Sequence, residues 1–302
     1  MINIIIINYF SLTKIEHLLA ALYEQKNGFD EFNVIIVSNS SEKEIAELPV
    51  HYPSIRIIQN EENIGFGRAC NKALPYCKGE FVLLLNPDTL INKHTLEKCV
   101  DAMDEKKEVA VLGVKHVDAD GRTAPSCSRF PTLINFVNEI FGLTKLNPRI
   151  FKSRSTLFEM DYSKSTFVPQ VMGAFMFIRK SFIDNYGLMD ERYFVFGEDM
   201  DFCKKVWANG GKVFYESSIS IMHEGCASTE GITDKRLCYS LEGKLKYAYK
   251  HLGKISWFVI LLLVIFVEPF TRLAFGLVSS KEGNIKNTLK GYRLFFTRRQ
   301  WK

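Results

Sequence analysis

The sequence lacks the cysteine patterns that would indicate a zinc site or a disulfide framework. Its 302 residues include seven cysteines, an odd number, and no two of them form a CxxC pair. We therefore expect free thiols in a reducing, cytoplasmic compartment. The opening MINIIIINYF also lacks a basic leader and a small-residue cleavage site, so we expect a first buried strand there rather than a signal peptide.

Glycine-rich phosphate loops are missing as well. The segment NYFSLTK at 8–14, which follows the first predicted strand, contains no glycine, and this argues against a sugar nucleotidyltransferase. Gly65-Phe66-Gly67 follows a loop rather than a strand and has no third glycine, so it is not the dinucleotide fingerprint of an oxidoreductase. The chain has no internal repeat, and its 47% hydrophobic and 24% charged residues are typical of a globular protein.

Acidic residues are scarce at the C-terminal end. Residues 251–302 hold nine Lys/Arg against two Glu, whereas the whole chain has a net charge of +5. The basic residues flank ISWFVILLLVIFV at 255–267, a run of thirteen residues without charge. As a helix, this run would span about 20 Å, which is short of a hydrocarbon core of about 30 Å.

We therefore expect this run to lie in, or dip into, the cytoplasmic leaflet of a membrane, held by Trp257 and the surrounding Lys and Arg. The alternative is a buried helix of a C-terminal subdomain. Because no nucleic-acid motif accompanies the basic residues, we do not expect a nucleic-acid partner.

Strand-like and helix-like segments alternate through the first half of the chain. Apolar runs predict strands at 2–7, 33–37, 55–58, 81–85 and 109–114, and helical spacing predicts helices at 12–25, 67–77 and 95–106. This order predicts an α/β fold with a mainly parallel sheet flanked by helices. The segment 122–167 has no regular pattern, and we expect an insertion over the site. We divide the chain into a catalytic domain at 1–231 and a C-terminal helical extension, apolar and basic, at 232–302.

One polar cluster follows the most apolar predicted strand. The run FVLLL at 81–85 leads directly into Asn86-Pro87-Asp88, and the proline ends the strand. Asp88 is then presented beyond the carboxyl end of the strand, where open α/β sheets bind ligands. The alternative is an ordinary strand-ending turn.

Two further clusters lie in the second half. Glu198, Asp199 and Asp201 begin an amphipathic helix, where acidic residues are also expected simply as caps that complement the helix dipole. His223 ends an apolar stretch, where a hydrogen-bonded core histidine is the alternative to a ligand.

Taken in order, these motifs resemble the inverting family-2 glycosyltransferases of the GT-A fold, a Rossmann-like architecture, and specifically their bacterial rhamnosyltransferase-like branch. The resemblance covers residues 2 to about 228. The segments that carry it are Asn8-Tyr9, Ser38-Asn39, NIGFGRACN (63–71), NPD (86–88), VMGAFMFIR (171–179), GLMDERYFVFGEDMD (187–201) and His223.

The resemblance implies transfer of a sugar from a nucleotide-diphosphate donor, with Mg or Mn stabilising the charge that develops on the leaving phosphate. It implies that Asp88 and His223 are the metal ligands and that Asp199 is the base that deprotonates the acceptor hydroxyl. Glu198 is expected to bind acceptor hydroxyls or to orient its loop. The residues expected to contact the donor are Asn8, Ser38, Asn39, Asn63, Gly65, Arg68, Asn71, Asn86, Asp88 and Gly173.

Three features modify these expectations. A helix N-terminus lowers the pKa of a carboxylate whereas a nearby diphosphate raises it, so the sequence leaves the basicity of Asp199 open. Ser38 stands where the family usually has an Asp that hydrogen-bonds the nucleobase, and Phe10 stands where it often has an Asn. The leading donor is dTDP-L-rhamnose on branch resemblance, with other dTDP-, UDP- and GDP-sugars open.

The implied acceptor is a lipid-linked glycan or a polysaccharide in bacterial surface glycan synthesis. The enzyme is then expected in the cytoplasm, attached peripherally to the inner face of the cell membrane. The alternatives are a catalytically inactive, membrane-bound glycan-binding protein and, behind it, the sugar nucleotidyltransferase. The sequence sets no expectation for the oligomeric state.

Overall fold

The computed structural model describes residues 1–24, 32–52, 54–153, 157–223, 225, 233–278 and 282–301. The strands among these residues are β1 Ile2–Asn8, β2 Phe32–Ser38, β3 Ile55–Gln59, β4 Phe81–Leu85, β5 Thr89–Ile91, β6 Val109–Val117, β7 Thr123–Ala124, β8 Cys127–Ser128, β9 Thr166–Phe167, β10 Gln170–Val171, β11 Phe175–Arg179 and β12 Lys212–His223. The α-helices are α1 Leu12–Glu24, α2 Leu48–His51, α3 Phe66–Ala73, α4 Thr95–Glu105, α5 Leu133–Ile140, α6 Leu143–Leu146, α7 Lys180–Tyr186, α8 Glu198–Ala208, α9 Thr233–His251, α10 Gly253–Phe266, α11 Glu268–Val278 and α12 Glu282–Arg298.

The predicted alternation of strands and helices in the first half is confirmed, with boundaries that move by a few residues. The helix predicted at 67–77 is α3, which ends at Ala73 and continues as a 3-10 turn at Leu74–Tyr76. Gln25, the predicted end of the first helix, lies outside the described residues. The strand β5 was not predicted, because three residues are too few to show a period.

The main sheet has ten strands in the order β3-β2-β1-β4-β11-β6-β12-β5, with β7 added to β6 and β9 to β12. Strand β1 runs parallel to β2 and β4, and β6 runs parallel to β12. The predicted, mainly parallel sheet is thus confirmed. Within the sheet, β11 departs from this direction, since it is antiparallel to β4 and β6 and its first residue, Phe175, pairs with Leu85 at the end of β4. The short strands β5, β7 and β9 are also antiparallel to their neighbours.

The central strands β1 and β4 consist mainly of apolar residues because both faces of the sheet are covered. All seven residues of β1 and all five of β4 are buried. The helix α1 covers this part of the sheet with Ile15, Leu18, Leu19 and Leu22, a helical spacing that buries one face of the helix completely. Each such side chain contributes roughly 1.5–3 kcal/mol by leaving water.

The chain forms two compact units. The sheet unit consists of Met1–Ser128, Asp161–Glu191 and Asp199–Ser228, and the helical unit consists of Arg129–Met160, Arg192–Glu198 and Thr229–Lys302. The predicted boundary between residues 231 and 232 lies outside the described residues.

The segment predicted to be irregular, 122–167, contains regular structure. It holds α5 and α6, and α5 begins with a reciprocal capping arrangement between Thr132 and Asn135. The eight and four residues of these two helices are too few to show a clear helical period in the sequence.

Buried charges tie the helices of the helical unit together. Lys244 of α9 donates from Nζ to Glu268 Oε2 at 2.7 Å, and Arg272 donates to Glu268 Oε1 at 2.8 and 3.0 Å. The side chains of Lys244 and Glu268 are only 2% and 4% exposed. Burial raises the pKa of Glu268, but the two cations more than offset this and hold the pKa below its usual value. The carboxylate is therefore ionised at neutral pH.

The helix α12 packs against α9 through a small residue and a second ion pair. A Cβ added to Gly291 would lie 2.9 Å from the backbone oxygen of Asp234 and from a methyl group of Leu237, so the two helices approach closely. Arg298 donates to Glu242 at 2.8 Å, and the Glu242 side chain is 2% exposed. The C-terminal helices are thus a packed unit rather than a loose tail.

Replacing Glu268 by Gln should lower the free energy of unfolding by about 3–5 kcal/mol, because the buried Lys244 would lose the carboxylate to which it donates. Urea denaturation followed by tryptophan fluorescence measures this change, since Trp257 and Trp301 both belong to the helical unit.

The matched control is Asp104→Asn, which removes an ion pair of 2.8 Å to Lys107 between side chains that are 50% and 71% exposed. This variant should unfold at the same urea concentration as the wild type. Equal effects of the two substitutions would contradict the stabilising role of the buried cluster.

Candidate active site

Polar side chains gather at the carboxyl ends of β1 and β2. The Asn8 amide donates from Nδ2 to Ser38 Oγ at 3.3 Å, to Ser40 Oγ at 2.9 Å and to Glu42 Oε2 at 2.9 Å. Asn8 Oδ1 accepts from the backbone N–H of Ser11 at 3.0 Å. Asn8 and Ser38 have no exposed surface. Asn8 and Ser38, which were both expected to contact the nucleotide-sugar donor, are therefore enclosed by protein. Their side chains order the ends of the two strands.

The next strand end continues this network. Asn60, just after β3, donates to Asn39 Oδ1 at 2.8 Å, and Asn39 donates to the backbone oxygen of Gly65 at 3.3 Å. Asn63 Oδ1 accepts from the Gly65 N–H at 2.9 Å. Gly65 has φ +89°, a conformation that glycine adopts without strain, and it directly precedes α3. The predicted residues 39, 63 and 65 thus form one connected loop at the start of α3.

One side chain of α3 joins this helix to the segment after α7 through two hydrogen bonds with the main chain. Asn71 accepts from the Met189 N–H at 3.0 Å and donates to the Met189 oxygen at 2.9 Å. Arg68 lies 3.6 Å from Glu191, and both side chains are more than half exposed. Asn71 is engaged with the main chain, whereas Arg68 remains accessible to a ligand. The predicted contacts of both with a donor stay predictions.

Asp88 and His223 face each other across the strands β5 and β12. His223 pairs with Thr89 in the sheet, and its Nε2 lies 3.5 Å from Asp88 Oδ1. Asp88 Oδ1 is buried and accepts no hydrogen bond from the described residues. Burial raises the pKa of Asp88, but His223 and the local backbone more than offset this, so the pKa lies below its usual value. The pair is an ionised carboxylate beside an imidazole.

A second histidine, not predicted from the sequence, borders this pair. His116 lies in β6 opposite Ile221, and its ring meets that of His223 edge to face at 5.2 Å. Burial lowers the pKa of His116 to about 3. A neutral imidazole therefore supports His223 from the core side.

A carboxylate and an imidazole are both suitable ligands for Mn, and carboxylates suit Mg. Asp88 supplies an oxygen without a hydrogen-bond donor, and His223 supplies a nitrogen beside it, so the pair fits two positions of a divalent cation. Within the described residues, no group of three or more His, Cys, Asp or Glu could hold a metal ion. At a pair of this kind the phosphate oxygens of a substrate can supply further ligands, as they do for Mg.

Backbone hydrogen bonds place Asp199 at the same edge of the sheet as Asp88 and His223. The Asn86 N–H donates to the oxygen of Ala174 at 2.9 Å, which joins the end of β4 to the start of β11. The neighbouring Gly173 N–H donates to Asp199 Oδ2 at 3.2 Å, and the Met200 N–H donates to Asp199 Oδ1 at 2.8 Å. A Cβ on Gly173 would lie 3.3 Å from the Cβ of Asp199, so glycine permits this approach.

The basicity of Asp199, which the sequence left open, follows from its surroundings. Burial raises its pKa most strongly, and the donors from Met200, Gly173 and Gln170 lower it by less. The net result is a pKa above the usual 3.8 of an Asp side chain. This direction suits a group that must accept a proton.

The other acidic residues of this motif are buried. Glu198, the first residue of α8, is 5% exposed and belongs to the helical unit, and Asp201 is 2% exposed. The acceptor-binding role expected of Glu198 stays a prediction.

Sequence reasoning missed Asn60, His116, Gln170 and Glu42. Asn60 was within reach, because it lies two residues after the predicted third strand and directly after β3, as Asn86 directly follows β4. Glu42 and His116 carried no comparable signal, since their roles depend on which strands become neighbours.

Phe10 lies at the same edge of the sheet as Asn8. Its φ of +51° is uncommon for a residue with a bulky side chain, and 62% of its surface is exposed. Its ring meets that of Tyr9 edge to face at 5.0 Å.

The family model described as glycosyl transferase family 2 matches residues 3–187. An N-acetylglucosaminyl-diphospho-decaprenol L-rhamnosyltransferase of Mycobacterium tuberculosis is 26% identical over 211 residues, which cover 65% of this chain and 68% of that relative. The rhamnosyltransferase WbbL of Escherichia coli K12 is 25% identical over 77% of this chain and 88% of its own length.

Solved structures with the same fold are similar over almost the whole chain. The mannosyltransferase PcManGT of Pyrobaculum calidifontis, in complex with GDP-Man and Mn²⁺, has a TM-score of 0.56 at 15% identity, over 99% of this chain and 81% of that one. S. aureus TarS 1–349 in complex with UDP has a TM-score of 0.54 at 18% identity, over 97% and 91%. At these identities the likeness concerns the fold.

Proposed function

The chain belongs to glycosyltransferase family 2, and on that basis we propose that it transfers a sugar from a nucleotide-diphosphate donor to a lipid-linked glycan or polysaccharide, with inversion at the anomeric carbon. The leading donor is dTDP-L-rhamnose, which the two rhamnosyltransferase relatives support. The observation that carries the proposal is that Asp88, His223 and Asp199 lie at one edge of the sheet. The hydrogen bonds of the neighbouring residues Asn86, Gly173 and Ala174 connect their segments.

The donor end of the reaction is assigned to Asp88 and His223. Negative charge develops on the diphosphate as it leaves, and a divalent cation, Mg or Mn, supplies the Lewis acid that stabilises it. Asp88 and His223 would hold that cation from the protein side. The burial of Asp88 strengthens its electrostatic effect, because water does not screen the carboxylate.

The acceptor end is assigned to Asp199. Inversion requires one direct displacement, in which the acceptor hydroxyl loses its proton as its oxygen attacks the anomeric carbon. The N–H groups of Gly173 and Met200 fix the orientation of the Asp199 carboxylate, and its raised pKa favours proton acceptance. One carboxylate is sufficient for such a displacement.

The helices α10 and α11 support attachment to a membrane surface. Gly253–Leu277 is one helical stretch that is long and apolar enough to cross a membrane by length and composition, and it is thus longer than the predicted thirteen-residue run. Its large apolar side chains with 37% to 84% exposure are Ile255, Phe258, Val259, Leu262, Phe266, Phe270 and Leu277. Their spacing of three, four or seven residues along most of the stretch places them on one side of the helices, and we name them the exposed stripe.

The charges favour a helix in the membrane plane over a crossing one. A crossing helix would carry Glu268 with its partners Lys244 and Arg272 into the hydrocarbon, at a substantial cost. The partner we propose for the exposed stripe is a leaflet with anionic headgroups, because the exposed cations of this unit complement it. These include Lys254, Lys286, Lys290, Arg293 and Arg299.

Such attachment suits an acceptor that is itself anchored in the membrane. Enzyme and acceptor then meet in two dimensions, which raises their effective concentration. The proposed location is accordingly the cytoplasm, at the inner face of the cell membrane.

Purified protein given a panel of dTDP-, UDP- and GDP-sugars should release one nucleoside diphosphate in the presence of Mg or Mn. Chelator should stop the release, and Asp88→Ala should lower its rate by at least about a hundredfold, because the variant loses a metal-facing carboxylate. Coupled detection of the nucleoside diphosphate measures the rate. If every donor binds by calorimetry without turnover, even with a lipid-linked acceptor present, the inactive binding protein is the correct alternative. Absence of binding to any donor would refute the transferase proposal.

Asp199→Asn should reduce kcat by about 10²–10⁴, the usual contribution of a general base. In the wild type, activity requires the deprotonated carboxylate, so kcat/KM should fall as the pH falls through the raised pKa of Asp199. A pH series with a single donor and acceptor measures the profile. The control Asp184→Asn changes an exposed carboxylate paired with Lys180 and should leave the profile unchanged. A fully active Asp199→Asn enzyme would remove Asp199 from the reaction.

The triple variant Phe258→Ser, Leu262→Ser and Phe266→Ser should bind vesicles with anionic lipid at least about tenfold more weakly than the wild type, because three exposed apolar side chains are lost. Co-sedimentation with the vesicles measures binding. A truncation is less suitable, since removing α12 would expose the face of α9 that packs against it.

The matched control is the triple variant Leu146→Ser, Ile150→Ser and Phe158→Ser, whose side chains are 58% to 73% exposed in the same unit but outside the stripe. It should bind vesicles like the wild type. Equal loss in both variants, or no binding by the wild type, would contradict the role of the exposed stripe.

A further inference from the structure

One face of the helix α8 lies along the segment 168–173, which contains the short strand β10. Three side chains of α8, spaced four residues apart, contact the backbone of this segment in order along it. The contacts are Trp207 Nε1 with the oxygens of Val168 and Pro169 at 3.2 Å, Cys203 with the backbone of Val171, and Asp199 Oδ2 with the N–H of Gly173 at 3.2 Å. Residues four apart lie on the same face of a helix, so the segment is held against this face at three points.

Gln170 lies within this segment and adds a side chain to the surroundings of Asp199. It pairs with Ser128 across β10 and β8, and only 4% of its surface is exposed. Its side-chain amide acts as a hydrogen-bond donor to the Asp199 carboxylate and lowers the pKa of that group. The N–H groups of Gly173 and Met200 are backbone donors to the same carboxylate. Of these three donors, Gln170 is the one that a substitution removes.

The amide of Gln170 is not arranged for stability alone. Its Oε1 is buried and has no hydrogen-bond partner among the described residues. An unpaired buried acceptor costs about 1–3 kcal/mol, and native proteins seldom retain one without a functional reason. The amide therefore places its N–H group on Asp199 at the expense of its own oxygen.

The other groups around Asp199 do not supply a cation. The segment 168–173, with the sequence VPQVMG, has no titratable side chain. From α8, Cys203 faces Asp199, and burial raises the pKa of its thiol so that it is neutral at neutral pH. Cys127 of β8 lies beside Cys203, and burial raises its pKa to about 12.

The neighbouring acids of α8 also cannot lower the pKa of Asp199, because like charges raise the pKa of a carboxyl group. These acids are Glu198 and Asp201. The main effects that lower the pKa of Asp199 against its burial are therefore uncharged hydrogen-bond donors.

We propose that Gln170 is a positioning residue for the proposed base, whose side-chain amide holds the Asp199 carboxylate in the ionised form that accepts the proton of the acceptor hydroxyl. The inference rests on the proposed function, because it requires Asp199 to act as the base. The proton passes from the hydroxyl to Asp199 and does not reach the amide. An uncharged donor suits this task, since a Lys or Arg beside the carboxylate would lower its pKa much further and make it a poorer base.

A pH series of kcat/KM with one donor and one acceptor tests this role in the full chain. Gln170→Met keeps the approximate length of the side chain but removes the donor, so the pKa of Asp199 should rise. The acidic limb of the profile should then move by about one pH unit to higher pH, as expected for one hydrogen bond to a charged group. The rate at the alkaline plateau should stay within about tenfold of the wild type, because Gly173 and Met200 still orient the carboxylate.

Gln170→Glu covers the case in which the methionine variant does not fold. It keeps the size of the side chain but places a second carboxyl group beside Asp199. The acidic limb should therefore move further than in Gln170→Met, because like charges oppose ionisation.

The matched control is Asn3→Leu, which removes another buried amide at the amino end of β1. Asn3 donates to the oxygen of Phe81 at 3.2 Å and has no exposed surface. This variant should have a lower melting temperature, but the acidic limb of its profile should coincide with that of the wild type.

An acidic limb that stays in place in both Gln170 variants, while the plateau or the melting temperature falls, would show that Gln170 is only a structural residue of β10. The inference is then wrong, whereas the transferase function stands because the wild type is active. An equal movement of the limb in Asn3→Leu would also overturn the inference, since contact with Asp199 would not be needed. If the wild type transfers no sugar from any donor, the proposed function and the role of Gln170 both fall.

Discussion

The antiparallel strand β11, inserted between β4 and β6, is the constraint on which the candidate site depends. Because its first residues lie beside the end of β4, Gly173 and Ala174 stand next to Asn86. One of these residues holds the Asp88 turn through its carbonyl oxygen, and the other holds Asp199 through its N–H. Two consecutive residues, Gly173 and Ala174, therefore hold both the Asp88 turn and Asp199, the groups proposed for the donor and acceptor ends of the reaction.

The helical unit stabilises the segment that precedes Asp199 in the chain. Lys246 of α9 donates to the backbone oxygen of Arg192 at 2.6 Å, and a Cβ on Gly243 would lie 2.2 Å from the oxygen of Phe196. Phe196 and Gly197 both have positive φ, so this segment is a constrained turn. The close contact at Gly243 excludes any larger residue at that position unless the turn moves.

The sequence predicted those parts of the fold that local patterns encode. The continuous apolar run of β4 and the turn after it indicated both a covered strand and the position of Asp88. The direction of β11 could not be predicted, because a short run of apolar residues gives the same pattern in either direction. The helices α5 and α6 were too short to show a period.

The candidate site divides in the same way. Asp88 was found because it follows a predicted strand, and Asn8 and Asn39 were found through the family resemblance, whereas His116 and Glu42 depend on contacts between distant parts of the chain. His116 meets His223 only because β6 and β12 are neighbours. The contact of Ser38 with the nucleotide stays a prediction, since its side chain is completely buried and accepts a hydrogen bond from Asn8.

The packing of Gly243 and Lys246 against the turn at Arg192–Glu198 also sets an order in time. The ribosome completes Asp199 well before it completes α9, yet the turn that leads into Asp199 packs against Gly243 and Lys246 of α9. A nascent chain from which α9 has not yet emerged therefore lacks the packing that fixes the turn before Asp199, its proposed base. Maturation of the site is thereby coupled to synthesis of the C-terminal helices, which also carry the exposed stripe.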